Sequence, residues 1–88
     1  MDATGEKQLR ETLLRIQNYL PGWAEFVEAE YRVNSEFQAL CEDFLACARA
    51  KEKWELDESP IATERRREYA EWLGELLQDI QNWQSPAA

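Results

Sequence analysis

The chain has 88 residues, 44% of them hydrophobic and 32% charged, with a formal net charge of −8. It fits one domain, is too apolar and aromatic for a disordered segment, and with three Gly and three Pro favours helices over turn-rich sheet. The acidity works against nucleic acid and anionic membrane as partners, and no apolar run approaches the roughly 20 residues of a membrane span.

Met1-Asp2-Ala3-Thr4-Gly5 reads as a frayed end, without the basic start and apolar stretch of a signal peptide. Over residues 6–20, Leu9, Leu13, Ile16 and Leu20 recur at steps of four, three and four, which is one face of a helix. Pro21-Gly22 breaks it. Trp23, Phe26, Val27 and Tyr31 then share a face of a short helix over 23–33. Asn34-Ser35 interrupts the pattern, and Ser35 with Gln38 has the form of a capping box, so a third helix is expected over 35–56. Asn and Ser are weak breakers, which leaves a continuous helix from Trp23 to about Leu56 as an alternative.

The third helix carries Phe37, Leu40, Cys41, Phe44, Leu45, Ala48 and Trp54. Ser59-Pro60, a cap serine followed by proline at the first helical position, opens a fourth over 60–83. It presents Ile61, Tyr69, Trp72, Leu73, Leu76, Ile80 and Trp83, and Ser85-Pro86 closes it. A loop of a few residues makes these two long helices antiparallel. Pairing residues whose numbers sum to about 116 sets Trp54 against Ile61, Phe44 against Trp72, Leu40 against Leu76 and Phe37 against Ile80. The expected fold is all-α, a single domain over 1–88. It is a small three- to four-helix bundle built on this long antiparallel hairpin.

The stretch Phe37-x-x-Leu40-Cys41-Glu42-Asp43-Phe44, through Cys47-Ala48-Arg49-Ala50 to Trp54, resembles a group of small uncharacterised bacterial helical-hairpin proteins. The seam Glu68-Tyr69-x-Glu71-Trp72-Leu73 continues the likeness over about half the chain. The resemblance implies a helical hairpin in a bacterial cytoplasm, and brings no assigned activity and no functional residue.

The residues themselves argue against an enzyme. There is no histidine, which removes histidine acid–base chemistry, the Ser-His-Asp arrangement, imidazole metal ligation and the Glu-x-x-His sites of di-iron bundles. Cys41 and Cys47 lie about 9 Å apart along a helix, too far for a disulfide. Cys41 points at the bundle and Cys47 lies on its flank, both as small core residues. Reduced thiols place the chain in the cytoplasm. Glu25, Glu28 and Glu30, and the pair Glu42-Asp43, read as solvated helix faces. Gly74 sits mid-helix, where it either admits a close neighbour or is incidental. No catalytic residue, metal ligand or cofactor is expected.

Two features remain as candidates. The hairpin tip gathers Arg49, Lys51, Lys53, Arg65, Arg66 and Arg67 against five acids, a local charge of +1 that leaves −9 for the rest. Lys51 and Arg65 fall in the seam itself and face each other. Either both reach out to solvent and nearby acids, or an anion or carboxylate lies between them. The second feature is aromatic, since Trp23 beside the turn and Trp83 at the helix end suit an interface. The function expected is a non-enzymatic protein-interaction module, an adaptor or regulatory subunit. Its partner would be a protein, basic in character, or a second copy in a homodimer. The alternative is a small-molecule or anion binder working through the basic tip.

Overall fold

A computed structural model describes residues 3–83, with side chains from Gly5 onward. Its helices are α1 (Ala3–Tyr19), α2 (Ala24–Val33), α3 (Ser35–Glu55) and α4 (Pro60–Gln81), with no strand among the described residues. The fold is an all-α bundle in which α3 and α4 form the long antiparallel pair. Ala3–Gly5, expected to fray, belong to α1. The closing signal Ser85-Pro86 lies outside the described residues.

In α1 the buried stripe is Leu9, Thr12 and Ile16, continued by Leu20 just past its end, with Leu13 half-buried beside it. Gly22 then takes a φ of 91°, the left-handed conformation that turns the chain at little steric cost. The Trp23 amide donates to the Leu20 carbonyl at 3.1 Å and closes the turn. Arg32, at the far end of α2, reaches Glu6 near the start of α1 at 2.9 Å, so α2 runs back along α1.

Residues 23–56 form two helices, and the residue that separates them is Asn34. Its backbone is extended (φ −130°, ψ 110°), and its Oδ1 accepts from the amides of Glu36 and Phe37 at 3.0 and 3.2 Å. Asn34 is therefore the N-cap of α3, and Ser35, expected in that role, is the first helical residue. Gln38 makes no capping box. Its side-chain amide donates at 2.7 Å to the Tyr31 carbonyl in the last turn of α2.

At the other end of α3, the turn is pinned from α4. The Arg66 guanidinium donates to the Trp54 and Asp57 carbonyls at 3.0 and 3.1 Å, putting a positive charge at a helix C-terminus. Ser59 precedes Pro60 with the extended backbone of a cap, but its side chain caps nothing. Asp57 orders this turn, with Oδ1 accepting from the Ser59 amide at 2.8 Å. Its hydrogen bonds with Ser59 hold the Asp57 carboxyl below the usual aspartate range.

Cys47 and Tyr69, whose numbers sum to 116, do meet across the seam, where the thiol lies 3.4 Å from the Tyr69 carbonyl oxygen. On α4 the expected Leu73, Leu76 and Ile80 do face inward, but Ile61 and Trp72 do not. Its buried line is Ala62, Leu73, Leu76 and Ile80, while Ile61 and Trp72 are 48% and 41% exposed. Ile61 and Trp72 therefore do not fill the seam opposite Trp54 and Phe44. Phe37 and Phe44 are fully buried on α3, and the smaller Leu73 and Leu76 complete the space that an indole would overfill. Gly74 faces solvent, with nothing within 4 Å of where a Cβ would stand, so it admits no close neighbour.

α1 crosses α3. As α1 advances from Glu11 to Tyr19, its partners stay within residues 44–52. Glu11 pairs with Arg49, Arg15 grips Glu52 through two bonds of 2.8 and 2.9 Å, and the Tyr19 ring meets Phe44 edge-on at 6.3 Å. Edge-to-face rings also run from Trp23 to Phe26 to Phe37 to Trp83, at 5.6, 5.8 and 5.1 Å, joining α2, α3 and the residue beyond α4. The radius of gyration is 13.9 Å, against about 12 Å for a near-spherical domain of this length. The excess reflects α4, which has α3 as its one extensive neighbour.

Candidate functional site

At the hairpin tip, four of the six cations are engaged within the molecule. Arg49 pairs with Glu11 of α1. Lys51 pairs with Glu55 at 3.2 Å and Arg65 with Glu68 at 2.9 Å, so the two cations of the seam are each neutralised from their own helix. Burial opposes the charge on Lys51, but the bond to Glu55 and the nearby Tyr19 hydroxyl raise its pKa overall. Arg66 is occupied with the Trp54 and Asp57 carbonyls and with Thr63 Oγ1 at 3.2 Å. Lys53 and Arg67 are exposed and make no ion pair with any described residue. These side chains serve three different structures, namely the α1–α3 crossing, the individual helix faces and the turn.

The two tryptophans singled out for an interface both have internal roles. Trp23 is half-buried against Phe26. Trp83 packs on Phe37, and its indole N–H donates to Glu30 Oε2 at 3.0 Å. Glu30 is 6% exposed, which corrects its reading as part of a solvated face. The same oxygen accepts from the Asn34 side-chain amide at 3.1 Å. One buried carboxylate thus links the α2–α3 break to the end of α4. Glu30 stands three residues after Val27 and one before Tyr31, both buried, so its place on the apolar stripe of α2 was visible in the spacing.

Neither cysteine is poised for chemistry. Burial, with the neighbouring Glu42 charge, pushes the Cys41 thiol up to about 12. Cys47 is also fully buried, not on the flank as expected, and its pKa is raised chiefly by that burial. A nucleophilic or redox cysteine needs the opposite shift. Among the described residues, no group of three His, Cys, Asp or Glu side chains could hold a metal ion. No described helix is long and apolar enough to cross a membrane.

The surface feature left over is the open side of α4. Ile61 and Trp72 are seven and four residues removed from Glu68 and share a face with it, as side chains on a helix do at these spacings. The Trp72 ring lies 6.1 Å from that of Tyr69, tilted by 37°. Beyond Glu68 the helix carries Glu71, Glu75 and Asp79, all exposed, and no Lys or Arg through Trp83. A separate apolar surface on α1, around Leu13 and Leu14, is flanked by Lys7 and Arg10. No protein-family model, curated protein or solved structure matches this chain.

Proposed function

We propose that the chain is a non-enzymatic protein-interaction module, an adaptor or regulatory subunit that works in the cytoplasm by docking a helix face. The supporting observation is the uncovered side of α4. A bundle that buries Phe37, Phe44, Ile16 and Ile80 completely nevertheless leaves Trp72 and Ile61 nearly half exposed on its longest helix. Indole is enriched where partners bind and contributes most when water is excluded from it. The acidity of the rest of the chain, with four of the tip cations engaged internally, argues against nucleic acid as the partner.

A pull-down of the tagged full-length chain from its host's extract tests this reading, run at low and at moderate salt. A specific protein retained at moderate salt is the expected result, since apolar docking survives screening better than charge alone. Recovery of the bait alone at both salts would overturn it.

A further inference from the structure

Resting on that reading, we infer that the face of α4 centred on Trp72 docks a basic amphipathic helix of a partner protein. One Arg or Lys of that helix stacks on the Trp72 indole between Glu68 and Glu75.

The geometry and the charge agree on this occupant. Ile61, Glu68, Trp72, Glu75 and Asp79 follow one another at steps of seven, four, three and four, a single side of the helix. Tryptophan is the strongest aromatic acceptor for a cation, and Tyr69 packs beside this one at 6.1 Å. Glu71, Glu75 and Asp79 form an i, i+4, i+8 ladder of like charges with no cation among the described residues within 4.0 Å. Such spacing disfavours the helix that carries it, and a cationic partner removes the repulsion. Apolar residues on the partner would then cover Ile61 and the indole edge. A second copy is the competing occupant, because an antiparallel two-fold pairing centred on Trp72 sets Asp79 toward Arg65, whereas a basic helix meets Glu71, Glu75 and Asp79 along their whole length. Nucleic acid is excluded by the same charge.

The test uses a fluorescein-labelled Leu/Lys amphipathic peptide of about 14 residues, followed by anisotropy against the full chain at about 0.15 M salt. Trp72→Ala should weaken binding about tenfold, and Glu75→Lys with Asp79→Lys should weaken it further. Glu25→Lys with Glu42→Lys changes the net charge equally at exposed acids elsewhere, and should cost less than about threefold. Far-UV circular dichroism verifies that each variant is folded. Equal losses from both charge reversals, no effect of Trp72→Ala, or no binding by the unaltered chain would overturn the assignment. So would a dimer that Trp72→Ala dissociates. If the extract pull-down still recovers a partner with all three variants, the α4 face is the wrong surface while the interaction module stands. If the unaltered chain recovers none, the module itself fails.

Discussion

Replacing Glu30 by alanine removes the acceptor shared by Asn34 and Trp83 and leaves both donors facing a half-buried junction. A hydrogen bond to a charged group contributes about 1.5–3 kcal/mol, and a buried donor left without a partner costs about 1–3 kcal/mol. Asn34 and Trp83 are only partly buried, so water can rescue some of the loss, and the expected destabilisation is about 2–4 kcal/mol. Single domains of this size have about 4–13 kcal/mol in all, so the variant should be folded but visibly weaker. Urea unfolding followed by circular dichroism reads the effect. With a slope near 1 kcal/mol per molar, the midpoint should fall by about 2–4 M. The decisive arm is a double-mutant cycle with Trp83→Phe, which keeps a ring against Phe37 and deletes the indole N–H. A coupling of about 1–2 kcal/mol is expected. Additive losses, within about 0.5 kcal/mol, would show that Trp83 does not need the carboxylate and would refute the link.

Gly74→Ala should stabilise the chain by up to about 1 kcal/mol, since the position is mid-helix and open. Scanning calorimetry should then show a melting point about 4–8 °C higher, and no rise would mean that the site is more crowded than its surroundings indicate. The Arg15 hydrogen bond holds the Glu52 carboxyl below the usual glutamate range. Its contribution is therefore complete above the unfolded value of about 4.3 and fades as pH falls through the lower folded value. Glu52 is half exposed, so Glu52→Gln should cost no more than about 1 kcal/mol at pH 7. That difference should disappear toward pH 3, and one that persists there would refute the ionic origin. Cys41 and Cys47 should resist a thiol reagent at pH 8 until the chain is unfolded. A Cys41 value of about 12 leaves about one thiol in ten thousand ionised at that pH. Labelling of either cysteine at the rate of free thiol in the native protein would contradict this.

How far the sequence could be read varied with the kind of signal. Helix existence followed from apolar spacing and strong punctuation. Pro21-Gly22 and Ser59-Pro60 fall where the structure breaks, because a fixed φ, a missing amide and a left-handed glycine act locally. The cap of α3 was displaced by one residue, since Asn34 and Ser35 are near-equal cap formers and the backbone at 34 decides between them. The phase of α4 was harder. Ile61 and Ala62 are neighbours, as are Trp72 and Leu73, and each pair offers two apolar candidates for one inward position. The folded chain turns Ala62 and Leu73 inward and leaves Ile61 and Trp72 48% and 41% exposed. Glu30 defeats a rule that ranks residues by polarity, since its burial rests on donors from Asn34 and Trp83 that only the folded chain brings together. At the tip, the six cations were visible, but Glu11 is 38 residues from Arg49, a pairing that composition cannot foresee.

The serial arrangement of the helices also sets an order in time. α1 meets α2 across a four-residue turn, α3 meets α4 across another, and Arg66 fastens that second turn from within the hairpin. Contacts so close along the chain close small loops, which is the condition for folding in microseconds to milliseconds. The contacts that join the two halves span more of the chain, 37 residues from Arg15 to Glu52 and 53 from Glu30 to Trp83, and close larger loops. Rapid assembly of two local pairs is then followed by slower closure of the α1–α3 crossing and of the Trp83–Glu30 bond. α4, packed along α3, belongs to the second of these pairs and moves with that helix when the two pairs separate.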